Sequence, residues 1–180
     1  MLLKAFRRIR ERDPAARMIL VPRHGERREE IRALLEREAV GLRWHFKSKG
    51  LPESEIDVLV GDTHGELRGF TQVSDLAFVG KSLPPHTEGQ TPIECGLLGV
   101  PMVFGNGMSN FKSIQARLVE CGAARRVGSA EEAVEVLREL SFDGESRGRM
   151  SRGGLEWAAA SRGALRRTLD RIEAFLSEVG

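Results

Sequence analysis

Short apolar runs recur along this chain, and an amphipathic stretch fills nearly every gap between them. The runs at 18–21, 56–60, 76–79 and 102–104 are built largely from Val, Ile, Leu, Met and Phe, and they stop at Pro22, Gly61, Gly80 and Gly105. Runs of that length bounded by Gly or Pro read as buried strands. Leu42-Arg43-Trp44-His45-Phe46 alternates and reads as another, and a last strand falls near 124–127. Between them the spacing predicts helices at 2–12, 29–38, 65–73, 92–98, 110–121 and 130–140. Ser129-Ala130-Glu131-Glu132 gives the last of these a start like a capping box. Strands alternating with helices predict an α/β domain: a Rossmann-like parallel sheet with helices on both faces. Ligands of such sheets gather at the carboxyl ends of the strands, here in the loops after Val21, Val60, Val79 and Phe104.

The chain does not stop with the sheet. Residues 143–154 contain Gly144, Gly148, Gly153 and Gly154 and read as a loop or a weak helix. Beyond them Leu155, Ala158, Ala159, Leu165, Leu169, Ile172 and Leu176 form an apolar stripe, as one long helix or two broken near Gly163. We therefore divide the chain into a domain at 1–142 and a C-terminal helical extension of it at 143–180.

Composition removes several classes of function. A net charge of +2 with no tyrosine argues against nucleic acid as a partner. Cys95 and Cys121 fall in helical patterns without Cys-x-x-Cys spacing, so neither a disulfide framework nor a zinc site is expected, and a reducing, cytoplasmic setting is. His64 and His86 lack a partner ligand at helical spacing, so no metal is expected. There is no Gly-x-Ser-x-Gly, and Gly61-Asp62-Thr63-His64-Gly65 lacks the Gly-Lys-Ser/Thr end of a P-loop. Met1-Leu2-Leu3-Lys4 runs straight into a charged helix rather than a signal peptide, and no segment approaches the roughly 20 apolar residues that span a bilayer.

The chemistry concentrates in one stretch: Gly80-Lys81-Ser82, a loop, Glu88-Gly89-Gln90-Thr91-Pro92-Ile93-Glu94, and then Gly99-Val100-Pro101. A loop leaving a strand feeds a helix that begins near Thr91 or Pro92, where proline fits the first turn. The free N–H groups there suit a phosphate, so Ser82, Gly89, Gln90 and Thr91 are candidate anion ligands, with ordinary turn and cap chemistry as the alternative. Lys81 can neutralise the anion or simply face water. Arg23, which follows a strand and Pro22, can clamp an anionic group with its planar fork. Glu94, one turn into the helix, suits the two hydroxyls of a ribose; otherwise it complements the helix dipole. Asp62 and Thr63 read as caps of the next helix or as ligands. Together these residues point to nucleotide-sugar binding.

Several blocks, in order, resemble the 3-deoxy-D-manno-octulosonic acid (Kdo) transferases, glycosyltransferases with two Rossmann-like domains (GT-B). They are Val21-Pro22-Arg23-His24, Gly61-Asp62-Thr63-His64-Gly65-Glu66-Leu67, Ser74-Asp75-Leu76-Ala77-Phe78-Val79-Gly80, Phe104-Gly105 and Ser109-Asn110-Phe111. The resemblance runs from about 16 to 140 and implies the C-terminal, donor-binding half of such an enzyme. It adds Asn110 to the candidate ligands and implies a CMP-linked sugar acid as donor, no cofactor, and a role in lipopolysaccharide synthesis, in the cytoplasm or peripheral at the inner membrane face. It also implies that the general base and the lipid A precursor belong to an acceptor domain or partner chain. The chain departs from the family's Gly-Gly-His-Asn-Pro-Leu-Glu-Pro at Glu88, Gln90 and Thr91, and carries Lys81 for the second glycine of Gly-Gly-Ser. Those changes leave open a different sugar acid, a UDP-sugar epimerase-like domain, or a non-catalytic nucleotide-binding half of a split enzyme.

Overall fold

A computed structural model describes residues 1–162 together with Leu169, Arg171, Ile172 and Phe175. Its strands are β1 (Met18–Leu20), β2 (Trp44–Phe46), β3 (Val58–Val60), β4 (Ala77–Val79), β5 (Met102–Gly105) and β6 (Ala124–Val127). Its α-helices are α1 (Leu2–Arg10), α2 (Arg28–Glu38), α3 (Leu67–Gln72), α4 (Ile93–Leu98), α5 (Lys112–Glu120), α6 (Ala130–Phe142) and α7 (Gly144–Ser161). All four strand pairings are parallel, as the alternation predicts.

The ladder is divided. The strands form two three-stranded sheets, in the orders β1-β3-β2 and β4-β5-β6. Between the facing edges of β1 and β4 lies a groove of about 570 Å³, lined by Met18 and Ile19 on one side and Leu76 and Phe78 on the other. Helix α1 lies along this gap, and Leu2, Ala5, Phe6 and Ile9 also line the groove. The same helix fastens the two halves together. Arg7 donates to the carbonyls of Glu38 and Val40 at the end of α2, and Arg10 pairs with Asp57. On the other side Arg8 pairs with Glu135 of α6.

In the second sheet, alternation sends side chains to two covered faces. Met102 and Phe104 of β5 pack with Cys95, Leu118 and Trp157, under α4, α5 and α7. Val103 points the other way, to Ala5, Val134, Leu137 and Leu140 of α1 and α6. The first sheet has a smaller core, in which Phe46 and Val60 meet Leu35 and Ala39. Helix α6 starts as its sequence predicts: Ser129 Oγ accepts the Glu132 N–H at 3.1 Å, and Glu132 reaches back to the Gly128 N–H.

The glycine-rich segment is helical from Gly144 onward, which decides between its two readings. Asp143 caps α7 by accepting the Ser146 N–H at 2.8 Å. A Cβ on Gly153 would stand 2.1 Å from the Cys121 carbonyl, so only glycine lets the helix sit this close. The buried face of α7 is accordingly Met150, Gly153, Gly154, Trp157 and Ala158, while Leu155 of the expected stripe is exposed. Leu169 and Ile172 are exposed too. Gly163, Leu165 and Leu176 lie outside the described residues.

Candidate functional site

The loops after β1 and β4 meet across the divide between the sheets. Arg23 follows β1, and its Nη1 donates to Gln90 Oε1 at 2.9 Å. Glu94 sits in the first turn of α4, whose neighbour α3 supplies Arg68. Arg68 Nη1 stands 3.6 Å from Glu94 Oε2, an oxygen shielded from water that makes no hydrogen bond. Lys81 Nζ lies 3.3 Å from Glu88 Oε1. The structure thus brings Arg23 and Gln90 together, while Lys81 pairs with Glu88 in the loop after β4 and Glu94 pairs with Arg68 at the start of α4.

The anion cradle expected from backbone N–H groups is largely spent. The Gly89 N–H donates to the Lys81 carbonyl and the Gln90 N–H to the Gly80 carbonyl, both at 2.9 Å. Gly89 is there for its conformation: its φ is +67°, and a Cβ would meet Met108 Sδ at 2.4 Å. The Ser82 side chain is fully buried; its hydroxyl donates to the Val79 carbonyl at 2.6 Å and accepts the Gly105 N–H at 2.8 Å. Ser82 therefore ties β4 to β5 and offers no hydroxyl to a ligand. Thr91 Oγ1 accepts the Ile93 N–H at 3.3 Å, a local turn bond. Helix α4 begins at Ile93 with Pro92 as its cap and is only six residues long, so little dipole stands behind its start. Asn110 is exposed in a turn before α5, and its N–H holds the Glu88 carbonyl at 3.2 Å.

Lys81 takes φ +54°, a left-handed conformation that costs a non-glycine residue roughly 1 kcal/mol. The resemblance places glycine here. From this backbone the lysine pairs with the Glu88 carboxylate, which also lies 3.5 Å from His86 Nδ1 and accepts the Thr87 N–H at 3.0 Å. Hydrogen bonds from its own N–H and that of Thr87, and then Lys81, hold the Glu88 carboxyl down at about 2.

Asp62 does not cap α3. Burial alone would push its carboxyl up, but hydrogen bonds from the Ser48 N–H and Oγ (2.9 and 2.6 Å) and from Arg28 Nε (2.5 Å) hold it down at about 2. It fastens the start of α2 and the turn after β2 to the end of β3. Thr63 instead donates to Glu66, the residue capping α3. Sequence reasoning missed Arg68 and the partners of Asp62, because a residue across a fold leaves no local pattern. The signal for Asp62 was a carboxylate just past the glycine that stops an apolar strand.

No family model matches the chain. Among individual proteins it is 37% identical over 165 residues to the 3-deoxy-D-manno-octulosonic acid transferase of Bordetella pertussis, covering 91% of this chain and 38% of that protein. It is 35% identical over 179 residues to the Haemophilus influenzae protein of the same name, covering 97% of this chain and 41% of that protein. The chain thus spans about two fifths of the length of these relatives. Its fold matches the crystal structure of the C-terminal CMP-Kdo binding domain of WaaA from Acinetobacter baumannii, with a TM-score of 0.76 and 26% identity over 86% of this chain and 79% of that one. The chain is a Rossmann-like half of a GT-B fold, and it belongs with the C-terminal domains of the 3-deoxy-D-manno-octulosonic acid transferases.

Proposed function

We propose that this chain is the donor-binding domain of a Kdo-transferase-like glycosyltransferase of lipopolysaccharide or lipid A synthesis, and that it holds a CMP-linked sugar acid. The observation that carries the reading is Glu94, a one-third-exposed carboxylate in the first turn of α4 whose Oε2 makes no hydrogen bond. A ribose hydroxyl supplies the donor this carboxylate lacks, once the Arg68 side chain 3.6 Å away gives way to the sugar. The names of the relatives and of the structural neighbour support the nucleotide and the sugar. Arg23 and Lys81 then face the phosphate, with Gln90, Thr91 and Asn110 as polar neighbours. As the glycosidic bond breaks, negative charge grows on the departing phosphate, and cations fixed beside it stabilise that charge. The binding function falls to 1–142, with 143–180 as its helical extension. Transfer requires an acceptor domain that brings the general base and the lipid A precursor, working in the cytoplasm at the inner face of the membrane; no cofactor takes part. No described helix is long and apolar enough to cross a membrane.

Calorimetric titration tests the reading. CMP should bind far better than cytidine, and Glu94→Ala should weaken CMP about ten- to a hundredfold, since a hydrogen bond to a charged group is worth roughly 1.5–3 kcal/mol. Unchanged CMP affinity in the folded variant removes Glu94 from the site. Incubating the 180-residue chain with CMP-Kdo and a lipid A precursor should give no product, and transfer by the chain alone would overturn the need for an acceptor domain.

A further inference from the structure

The loop between β4 and α4 already contains an anion, and it is the chain's own. Besides its own N–H, three groups converge on the Glu88 carboxylate: Lys81 Nζ at 3.3 Å and His86 Nδ1 at 3.5 Å from Oε1, and the Thr87 N–H, which donates to Oε2 at 3.0 Å. The backbone under it is pinned. The Glu88 carbonyl accepts the Asn110 N–H at 3.2 Å, the Thr87 carbonyl accepts the Ser109 N–H at 2.9 Å, and the Gly89 N–H returns to the Lys81 carbonyl at 2.9 Å. The side chains of Lys81, His86 and Glu88 remain 39%, 49% and 37% exposed, so a solute can reach all of them. Lys81 reaches the carboxylate from a left-handed backbone, φ +54°. Two residues on, Gln90 Oε1 accepts a hydrogen bond from Arg23 Nη1, so the pinned carboxylate borders the proposed donor site.

We propose that Glu88 is an internal competitor: in the free chain its carboxylate occupies the anion position made by Lys81, His86 and the Thr87 N–H, and the phosphate of a bound nucleotide must displace it. The inference deepens the donor-binding reading and rests on it for the identity of the ligand. Its consequence is selectivity against weak anions. Free inorganic phosphate has only its charge with which to dislodge the carboxylate, whereas a nucleotide also brings its ribose and base. A site open only a tenth of the time binds about tenfold more weakly than one always open.

The test compares Glu88→Gln, which keeps the shape and removes the charge, with the unmodified chain, using CMP, cytidine and inorganic phosphate. Glu88→Ala serves as a second variant, and thermal melts establish that each is folded. We expect CMP to bind about tenfold tighter to Glu88→Gln with cytidine unchanged, inorganic phosphate to raise the melting temperature of the variant more than that of the parent, and Lys81→Met added to Glu88→Gln to erase both gains. Equal or weaker CMP binding by Glu88→Gln and Glu88→Ala, with the parent binding CMP well, overturns the competitor and leaves the donor reading standing. If no variant binds CMP yet Glu88→Gln still gains phosphate stabilisation, the competitor stands and the donor reading falls. If neither ligand affects any variant, both fall.

Discussion

Around β5, Met102, Val103 and Phe104 are wholly excluded from water and sandwiched between helices, whereas β3 has a buried carboxylate just before it, Asp57, and another two residues beyond it, Asp62. The second sheet is held by apolar burial on two faces. The first has a small apolar cluster and leans on charge. Asp57 takes Arg43 through its N–H (2.8 Å), Nε (3.2 Å) and Nη2 (3.0 Å), with Arg10 closing over it. The Arg43 hydrogen bonds hold the Asp57 carboxyl well below its usual range despite burial. The difference shows that two halves of a repeated α/β plan need not be stabilised by the same force. It also predicts that they fail under different insults.

The sharpest way to break the comparison is Phe104→Ala. It removes the largest fully buried side chain of the second sheet and should cost about 3–5 kcal/mol, read from the midpoint of urea unfolding. A loss near 1 kcal/mol would mean that this sheet is not held by packing. Asp57→Ala should cost less, about 1.5–3 kcal/mol, because the abandoned Arg43 is half exposed and can turn to water. The same urea measurement decides, and an unchanged midpoint would demote the ionic half to decoration.

Acid should separate the halves. The Asp62 carboxyl is held at about 2, below its ordinary 3.8, so its contribution is complete above about 4 and is lost as pH falls toward 2. Asp57 is shifted in the same direction, and β5 has no such group beside it. Amide exchange followed from pH 5 to pH 2 should therefore lose protection in β3 before β5, and simultaneous loss would show that the two sheets unfold as one unit. The smallest effect is the control: Leu51→Ser, at a side chain 86% exposed, should move stability by less than about 0.5 kcal/mol in the same unfolding assay.

The two sheets also differ in how much the sequence revealed. Strand and helix order was legible because apolar runs and their Gly or Pro stops are local signals, and β6 and the Ser129 cap fell where the pattern put them. The division at β1 and β4 was not, since pairing depends on how edges approach in space. Helix α7 was ambiguous because glycine weakens a helix in isolation, and only the closeness of Cys121 explains Gly153. In the candidate site, the chain segment was legible but the use of each group was not. Nothing in Gly80-Lys81-Ser82 distinguishes a hydroxyl that meets a ligand from one tied to Val79 and Gly105.

The clasp formed by α1 has a consequence in time. Within this chain α1 is synthesised ahead of both sheets, yet Glu135, the partner of Arg8, is encoded 127 residues after it. At roughly 5–20 residues per second, translation leaves about 6–25 s in which α1 exists without α6. Its nearer anchors, the carbonyls of Glu38 and Val40, arrive after only 31 and 33 residues. The helix can therefore dock first on the early half, presenting Ala5 to the solvent, and the later half must assemble onto a surface already in place. The order of synthesis thus makes the first sheet the template and the better-packed second sheet the latecomer.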